Sequence, residues 1–385
     1  MNTRTKIAFF NNNLYGGGAE RILQTLLHNL SPERYDITLF GVVEEEYDTS
    51  IYPKYVTYKS LFKKGTTSSF LHRITSKIKG KLDLKTYTSD TERFYREKVR
   101  ERYDVEIAFI EGYSTRIVAS SNNPESLKIA WVHIDLEANP WSQIAYTDIT
   151  QEKNSYERID HVVCVSQNVK EAFQRKFSVA TPITVKYNPV DRKAILRKAQ
   201  EPIKISAPEN QIPVLVTLGR LEEQKGYGRL VDCVSRLQKE NIAFELWILG
   251  EGSQRTLLED KINTLQLQSQ VKLLGFKENP YPYLKKADIF VCSSYSEGFS
   301  TVVTEALILG KPIVTTNCSG MEELLGATSQ YGLITENSEE ALYQGIKRLV
   351  TDKTLQLDYK EKSKQRGANF EIETTVHAIE NLWHS

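Results

Sequence analysis

The chain has 385 residues, a length that predicts two domains rather than a single core. Hydrophobic residues make up 40% of it and charged residues 26%, which is typical of a globular enzyme and excludes a disordered or fibrous chain. The formal net charge of +1 excludes a global field that would draw the whole molecule onto nucleic acid or anionic lipid.

The cysteines and the apolar runs predict a cytoplasmic location. Cys164, Cys233, Cys292 and Cys318 lie far apart, form no CxxC pair and are expected to stay reduced. The start MNTRTKIAFFNNN lacks the length and cleavage site of a signal peptide. No apolar run approaches the roughly 18 residues of a membrane-spanning helix, so any membrane contact is expected to be peripheral, at the inner face of the cell membrane.

Short apolar runs alternate with amphipathic stretches along the whole chain, which predicts parallel sheets in an α/β fold. The first half contains the predicted strands KIAFF, DITLFGVV, DVEIAFI, KIAWVH, HVVCVS and ITVKYN. The second half repeats the pattern with PVLVTLG, FELWILG, VKLLG, DIFVCS and PIVTTN, separated by helix-length segments such as 226–240 and 253–267. The polar segment 191–211 contains two prolines and is predicted to link a first domain, 1–190, to a second, 212–368.

Residues 59–102 form a basic stretch with 13 Lys or Arg against five acidic residues, a local balance of +8. Apolar residues are interleaved with the charges, which is typical of segments that lie on an anionic membrane surface. A solvated helix and loop explains the pattern equally well. The stretch lacks a nucleic-acid recognition motif, so no nucleic-acid partner is predicted. The interleaved apolar residues are Leu61, Phe62, Phe70, Leu71, Ile74 and Ile78.

The first strand leads into a glycine turn and a helix in KIAFFNNNLYGGGAERIL. Gly16, Gly17 and Gly18 allow a ligand to approach the backbone, but the full G-x-G-x-x-G is missing, so phosphate contact and simple packing remain equally possible. His133 ends the strand KIAWVH and is expected at the carboxyl edge of the sheet, although a lone histidine is more often structural.

The segment Ser293–Leu309 carries two glutamates separated by seven residues, after the strand DIFVC. Gly298 is predicted to mark the turn into a helix that begins near Phe299, at the sheet edge where open α/β folds bind ligands. Free amides at a helix start suit a phosphate, and a carboxylate can bind hydroxyl groups. The competing interpretation is that Glu297 is a turn residue and Glu305 a solvent-exposed helix residue. The predicted site residues are Glu297, Glu305 and the amides of Phe299, Ser300 and Thr301.

Two cations, Arg220 and Lys225, follow the first strand of the second domain in LGRLEEQKGYG. A surface ion pair would contribute about 0–1 kcal/mol, whereas each charge-assisted hydrogen bond to a diphosphate is worth about 1.5–3 kcal/mol. Because these cations are expected at the same sheet edge as Glu297, the pattern favours ligand binding over surface pairing.

The string LGRLEEQKG, LGF with NPYPYLKKADIFV, and SEGFSTVVTEALILGKPIVTTNCSG resembles family 4 of the retaining glycosyltransferases over about 212–330. The first half agrees more loosely. The resemblance implies the α/β GT-B fold: two Rossmann-like domains facing across a cleft, with a C-terminal helix at 369–385 packing back on the N-terminal domain. It places Glu297 at the donor sugar, Glu305 at the nucleotide ribose, and Arg220 and Lys225 at the diphosphate.

The same resemblance implies roles for residues whose patterns are weak by themselves. Gly17 and Gly18 would face the donor phosphate and the acceptor, with Glu20 and Arg21 on the helix behind them. His133 would lie near the donor sugar. Ser166 and Asn188 match positions lining the cleft, although turn chemistry at a strand end explains both equally well. Phe276 and Lys277 would shape the base pocket, or Phe276 would be a core residue.

The implied activity is retaining transfer of a sugar from a nucleotide-diphosphate sugar, with UDP as the expected nucleotide, to a glycan or lipid-linked glycan. Bacterial surface polysaccharide (capsule) synthesis is the expected setting. No D-x-D motif occurs, so no bound metal and no cofactor are predicted. The alternatives are a non-catalytic GT-B partner subunit, a nucleotide-sugar epimerase and a phosphorylase.

Overall fold

A computed structural model describes residues 4–12, 14, 17–43, 49–62, 83–203, 205 and 212–384. The chain divides into two compact units. Unit 1 comprises 1–189 and 373–385, and unit 2 comprises 190–372. Within the described ranges, no helix is long and apolar enough to span a membrane.

Unit 1 is built on a seven-stranded parallel sheet with the strand order β3-β2-β1-β4-β5-β6-β7. Helices join consecutive strands, as the alternating pattern of the sequence predicts, except between β2 and β3, where the described residues contain only a 3-10 turn, Thr49–Ile51. The strands are β1 (Thr5–Asn11), β2 (Tyr35–Val43), β3 (Thr57–Phe62), β4 (Val105–Ala108), β5 (Leu127–Val132), β6 (His161–Cys164) and β7 (Ile183–Val185). The helices are α1 (Gly18–His28), α2 (described residues 83–89), α3 (Thr91–Lys98), α4 (Tyr113–Ala119), α5 (Ile149–Glu157) and α6 (Gln167–Phe177).

The last part of the chain groups with unit 1. Helix α15 (Ile372–Glu380) is followed by a 3-10 turn, Asn381–Trp383. The Trp383 ring packs edge-on against Phe9 of β1 and Tyr35 of β2, with ring centroids 6.2 and 5.1 Å apart. Arg34 donates to Glu380 at 3.1 Å. The final turn therefore adds an aromatic ring to the core beside β1 and the start of β2.

Unit 2 contains a six-stranded parallel sheet with the order β10-β9-β8-β11-β12-β13. Its strands are β8 (Val214–Leu218), β9 (Glu245–Leu249), β10 (Val271–Gly275), β11 (Ile289–Cys292), β12 (Ile313–Thr316) and β13 (Leu333–Thr335). Its helices are α7 (Arg192–Lys198), α8 (Tyr227–Lys239), α9 (Arg255–Thr264), α10 (Tyr281–Lys286), α11 (Thr301–Ile308), α12 (Met321–Leu325), α13 (Glu339–Thr351) and α14 (Lys353–Gly367). The order reverses between β8 and β11, so their carboxyl ends form the topological switch point.

The segment 191–211, predicted as a linker, begins with helix α7. Asp191 caps this helix by accepting a hydrogen bond from the Ala194 amide at 2.8 Å. Ile195 is buried in one apolar cluster with Tyr281 and Ile308 of unit 2. The start of the segment is therefore part of the unit 2 core, because its two-turn helix buries an apolar side chain there.

Two strands were not predicted, and one of them changes the interpretation of the basic stretch. β3 lies inside 59–102; its Leu61 is buried, and the Phe62 ring stacks on Phe94 at 4.8 Å. Leu61 is therefore a core residue, and Phe62 is partly buried against Phe94. Six of the 13 basic residues and no acidic ones fall in 63–82, outside the described residues. β13 is the second unpredicted strand.

Candidate functional site

The strongest polar contact at the switch point of unit 2 joins Lys225 to Glu297. Lys225 lies on a 3-10 turn (Glu223–Lys225) that follows β8, and Glu297 lies on the loop after β11. The Lys225 ammonium donates to Glu297 Oε1 at 2.7 Å, and the Ser294 hydroxyl donates to the same oxygen at 2.6 Å. The pocket at this point is also lined by Thr217, Leu218, Tyr227, Phe290, Cys292, Ser293 and Val302.

The ion pair with Glu297 keeps the Lys225 side chain protonated. Burial alone lowers the pKa of Lys225, but the charge of Glu297 and its hydrogen bond outweigh burial and raise the pKa above its usual value. Arg220, on the same sheet edge, has the opposite influence on Lys225 and is itself exposed. The site therefore holds one part-buried ion pair with an exposed cation beside it.

The turn that carries Lys225 touches the Glu297 loop because Gly226 has no side chain. Gly226 has φ of 63°, in the left-handed region. A Cβ atom there would lie 2.1 Å from the carbonyl oxygen of Ser293. The Ser293 hydroxyl donates to the Lys225 carbonyl at 2.8 Å, which ties the two loops directly.

Helix α11 begins at Thr301, two residues later than predicted. Ser300 is its N-cap, with φ of −72° and ψ of 107°, so Phe299 and Ser300 precede the helix and their amides are not part of its start. The first amides of the helix, from Thr301 on, have no intrahelical partner by geometry. Gly298 lies in the loop between β11 and the cap, as predicted.

Glu305 is buried, at 6% exposure, which rules out the interpretation as a solvent-exposed helix residue. Its Oε1 accepts a hydrogen bond from the Tyr281 hydroxyl at 3.1 Å. Glu305 lies one turn into α11, so it and Glu297 flank the helix start. The arrangement can bind hydroxyl groups on either side of an anion held by the helix amides.

Phe276 and Lys277 follow β10 at the same edge of the sheet. Phe276 is 59% exposed, so it is not a core residue. Of its two predicted roles, only the one in the base pocket remains a prediction. The Lys277 ammonium lies 5.7 Å from the centroid of the Tyr283 ring, within cation–π range. An exposed aromatic ring beside a cation remains available to a ligand.

In unit 1, His133 follows the last residue of β5, as predicted. Its Nε2 is buried and has no hydrogen-bond partner among the described residues. Burial lowers the pKa of His133 to about 4, although a hydrogen bond with the Phe109 backbone opposes the shift. The ring is therefore neutral at physiological pH and offers an unused nitrogen.

Glu111 determines the position of the His133 backbone. Its Oε1 accepts hydrogen bonds from the amides of His133 at 2.5 Å and Ile134 at 3.1 Å. Burial raises the pKa of Glu111 to about 7, against three backbone hydrogen bonds that lower it, and the charge of Glu152 adds to the increase. The strand ends are further joined by Asn12, which accepts from the Ser114 hydroxyl at 2.8 Å and donates to the Glu111 carbonyl at 3.2 Å.

Of the other residues predicted for unit 1, Gly17, Gly18 and Ser166 lie at helix starts. Gly17 is the N-cap of α1 and Gly18 its first residue, and a Cβ atom on Gly17 would overlap the Glu20 carboxylate. Gly16 lies outside the described residues, and Arg21 is exposed. Ser166 is the N-cap of α6 and accepts from the Val169 amide at 3.2 Å, the turn chemistry that was its alternative explanation. Asn188 is buried after β7.

Sequence reasoning missed three contributors to these sites: Tyr281, Glu111 and Arg229, whose guanidinium donates to the Ser293 and Ser294 carbonyls of the loop that carries Glu297. Arg229 lies inside an amphipathic helix, where an arginine suggests a solvated face. Tyr281 occurs in a helix start rich in prolines and tyrosines. Glu111 lies three residues after the end of β4, so the rule that polar residues after parallel strands meet at one edge was the signal that would have found it.

Comparison with solved structures establishes the class of fold. A crystal structure of Anabaena Alr3699/HepE in complex with UDP and glucose matches with a TM-score of 0.76 over 99% of this chain and 100% of that chain, at 19% identity. Sucrose-phosphate synthase from Thermosynechococcus elongatus matches with a TM-score of 0.77 at 16% identity, over 99% and 98% of the two chains. Two Rossmann-like units with parallel sheets place the protein in the GT-B class, as predicted.

Family models identify the family. "Glycosyltransferase Family 4" matches residues 16–194, and "Glycosyl transferases group 1" matches residues 199–366. The two models fall on units 1 and 2 in turn, and the chain belongs to this glycosyltransferase family.

Curated relatives match mostly over part of their length. N-acetylgalactosamine-N,N'-diacetylbacillosaminyl-diphospho-undecaprenol 4-alpha-N-acetylgalactosaminyltransferase of Campylobacter jejuni is 33% identical over 56% of this chain and 58% of its own. The putative colanic acid biosynthesis glycosyltransferase WcaL of Escherichia coli is 31% identical over 38% and 37%. An uncharacterized glycosyltransferase of Haemophilus influenzae is 23% identical over 96% and 98%. The match to the first of these spans little more than half of the relative's length.

Proposed function

We propose that the protein is a retaining glycosyltransferase that moves a sugar from a nucleotide-diphosphate sugar, with UDP as the nucleotide, to a glycan or lipid-linked glycan. The observation that carries this proposal is the group of residues at the β8–β11 switch point of unit 2. It combines the Lys225–Glu297 pair, the start of α11 and the buried Glu305, and so offers cations, amides and carboxylates to one ligand.

Transfer breaks the bond between the anomeric carbon and the diphosphate, so the leaving diphosphate gains negative charge. Arg220, Lys225 and the first amides of α11 would stabilise that charge. Glu297 would hold the donor sugar, and Glu305 the ribose hydroxyls. The acceptor hydroxyl would attack on the leaving-group face while the diphosphate takes its proton, so no protein nucleophile is assigned and the anomeric configuration is kept.

Unit 1 would bind the acceptor and supply His133. Its Nε2 lacks a partner among the described residues, and the neutral ring can accept a hydrogen bond from a sugar hydroxyl. Gly17 and Gly18, at the start of α1, would face phosphate and acceptor, and Asn188 would lie beside the donor. Phe276 and Lys277 of unit 2 would contact the base.

The names of relatives support the acceptor class. The Campylobacter relative is named for a diphospho-undecaprenol substrate, and the Escherichia coli relative for colanic acid biosynthesis. We infer a lipid-linked or surface-polysaccharide acceptor and a cytoplasmic protein that contacts the membrane peripherally through the basic stretch 59–102. Co-sedimentation with anionic liposomes at low and high salt tests that contact, and failure to co-sediment at low salt would remove it.

A thermal-shift screen of UDP, GDP and ADP sugars tests the donor. Ligand at one hundred times its Kd adds about 2.7 kcal/mol to the free energy of unfolding, so the correct donor raises Tm clearly. We expect a UDP-sugar to give the largest shift. Stabilisation by only GDP- or ADP-sugars would correct the nucleotide, and no shift with any of the three would contradict the donor site.

Two substitutions test the residue roles. Glu297→Gln removes a charge that would act on the donor sugar, and Arg220→Ala removes an exposed cation that would face the diphosphate. Each is expected to lower kcat/KM about 10²-fold or more, since single electrostatic contacts in transfer sites contribute at that level. Arg220→Ala should leave Tm unchanged, whereas Glu297→Gln should lower it, because it takes the ion-pair partner from Lys225. The matched controls are Glu336→Gln and Lys239→Ala, at exposed positions of unit 2, which should leave turnover unchanged.

Near-normal turnover in either site variant would exclude the assignment. Product NMR should show that the anomeric configuration of the donor is kept, and transfer should persist in EDTA. Donor turnover without an acceptor would instead favour an epimerase, and phosphate-dependent cleavage a phosphorylase.

A further inference from the structure

Arg229 is a buried arginine in helix α8 that serves one loop. It is 5% exposed, and its Nε donates to the Ser293 carbonyl at 2.8 Å while its Nη2 donates to the Ser294 carbonyl at 2.6 Å. Its guanidinium carbon lies 3.9 Å from the centroid of the Tyr295 ring. A single side chain therefore contacts three consecutive residues of the loop after β11.

The third carbonyl of this loop is held through Asn337. Arg229 Nη1 donates to Asn337 Oδ1 at 2.8 Å, and Asn337 Nδ2 donates to the Tyr295 carbonyl at 2.8 Å. Arg229 thereby orients the amide that fixes Tyr295. The planar fork of an arginine suits this task, because its donors point in fixed directions toward several acceptors at once.

The Ser294 carbonyl has further donors. Thr316, the last residue of the neighbouring strand β12, has its Oγ1 2.6 Å from it, and Cys318, two residues further on, has its Sγ 3.1 Å from it. Its side chain, in turn, donates to Glu297 Oε1 at 2.6 Å. The backbone of Ser294 is thus fixed on one side by Arg229, and its hydroxyl fixes Glu297 on the other.

Arg229 forms no ion pair with a carboxylate among the described residues. A buried guanidinium is expensive to desolvate unless its donors are satisfied. Here they are satisfied by the Ser293 and Ser294 carbonyls and by Asn337, which itself holds Tyr295, so the loop conformation and the burial of Arg229 depend on each other.

We propose that Arg229 is a positioning residue that holds the 293–297 loop, and through Ser294 the Glu297 carboxylate, in the conformation that binds the sugar of the donor. This inference rests on the proposed function for the role of Glu297, but the control of the loop by Arg229 does not. It adds to the transferase site a residue that contacts no donor atom.

The test compares Arg229→Met and Arg229→Lys with the wild type in the full-length protein. Methionine keeps an apolar side chain of similar length but has no hydrogen-bond donor. Lysine keeps the positive charge but has one donor nitrogen instead of three. We expect the KM for the UDP-sugar donor to rise about tenfold or more in Arg229→Met and less in Arg229→Lys, since small displacements at a reaction site are costly. The affinity for UDP alone should change much less, because Glu297 is assigned to the sugar.

Arg236 provides a matched control on the same helix. Its guanidinium stacks on the Tyr343 ring at 3.6 Å and pairs with Glu340, away from the loop. Arg236→Met removes a comparable stacked cation and Arg236→Lys replaces its guanidinium with an ammonium, and both should leave the donor KM unchanged. If Arg229→Met fails to fold, Asn337→Ala at an exposed position releases the same loop and should raise the donor KM in the same direction.

Amide hydrogen exchange separates this proposal from the proposed function. Exchange over 293–301 should accelerate in the Arg229 variants and not in the Arg236 variants, whether or not the protein transfers sugar. Unchanged exchange and an unchanged donor KM in a folded Arg229 variant would overturn the positioning role. If exchange accelerates in the Arg229 variants but the wild type binds no nucleotide sugar, the control of the loop by Arg229 stands and the transferase assignment is rejected instead.

Discussion

Glu111 and His133 lie at the ends of neighbouring strands and are linked through the His133 amide. Burial raises the pKa of Glu111 to about 7 and lowers that of His133 to about 4. Both shifts favour the neutral form of the side chain in the folded protein. Their effects on stability therefore have opposite signs with pH, and each can be measured separately.

Replacement of Glu111 by Gln should remove one part of the pH dependence of stability. Since the pKa is raised on folding, the contribution of Glu111 is fully present below about pH 4.5 and is lost as pH rises through about 7. The free energy of unfolding of the wild type, relative to Glu111→Gln, should fall by about 3 kcal/mol between pH 4.5 and 8. Urea unfolding of both proteins at several pH values measures this difference, and a constant difference would contradict it.

His133 should not titrate in the physiological range. Its lowered pKa means that the ring stays neutral from about pH 8 down to about pH 5, whereas an exposed histidine gains a proton near pH 6.5. NMR of the histidine ring carbons over this range should show one resonance without a shift, assigned by its absence in His133→Gln. An inflection of that resonance near pH 6.5 would show that the ring is solvated.

At the scale of elements, Gly226 is the point at which the turn that carries Lys225 packs against the loop that carries Glu297. Gly226→Ala places a Cβ atom in a left-handed conformation and within 2.1 Å of the Ser293 carbonyl, so the backbone must move. We expect a loss of about 1–3 kcal/mol in the free energy of unfolding together with weaker donor binding.

Gly228→Ala, two residues along in helix α8, is the matched control. A Cβ atom at that position meets only the end of Lys261, 4.0 Å away, so alanine should stabilise the helix by about 0.5–1 kcal/mol. Thermal melts of the two variants should therefore shift in opposite directions. An equal loss in both would mean that the close approach at Gly226 has no special cost.

The elements that the sequence predicted and those that it did not differ in physical terms. Long apolar runs such as DITLFGVV and FELWILG predicted central strands, because buried parallel strands are apolar on both faces. β3 lies in a run of mixed polarity, and β13 has only three residues, so neither produces a clear pattern. Helix α7 was not predicted, because the sequence of a two-turn helix with few apolar residues resembles that of a polar linker.

The sequence predicted which strand ends carry the residues of the site. Parallel strands bring Lys225 and Glu297 to one edge, so their proximity followed from the motif positions. Their direct ion pair did not, because Lys225 and Glu297 are 72 residues apart and their contact depends on the close approach that Gly226 allows. The loop contacts of Arg229 depend likewise on side-chain directions that spacing along a helix does not reveal.

At the scale of the molecule, the two units differ in how the chain builds them. Unit 2 is one continuous segment, 190–372, whereas unit 1 combines 1–189 with 373–385. Trp383 connects the two segments of unit 1 through its contacts with Phe9 and Tyr35.

Trp383→Ala should destabilise unit 1 by about 3–5 kcal/mol, the usual cost of deleting a buried tryptophan side chain. Hydrogen exchange resolved by peptide should show faster exchange in β1 and β2, with β8 and β9 less affected. Leu357→Ala, at a leucine that is 64% exposed in α14, is the control and should change stability by less than about 0.5 kcal/mol. Protection of β1 and β2 equal to the wild type would show that the aromatic contact is dispensable.

The return of the chain to unit 1 also sets an order of events during synthesis. Domains fold as they leave the ribosome, at about 5–20 residues per second. Unit 2 has all of its residues once position 372 has emerged, but the aromatic core of unit 1 lacks Trp383 until eleven residues later. The first unit to begin is thus the last to be completed, and until then the faces of Phe9 and Tyr35 that Trp383 covers are candidates for chaperone binding on the nascent chain.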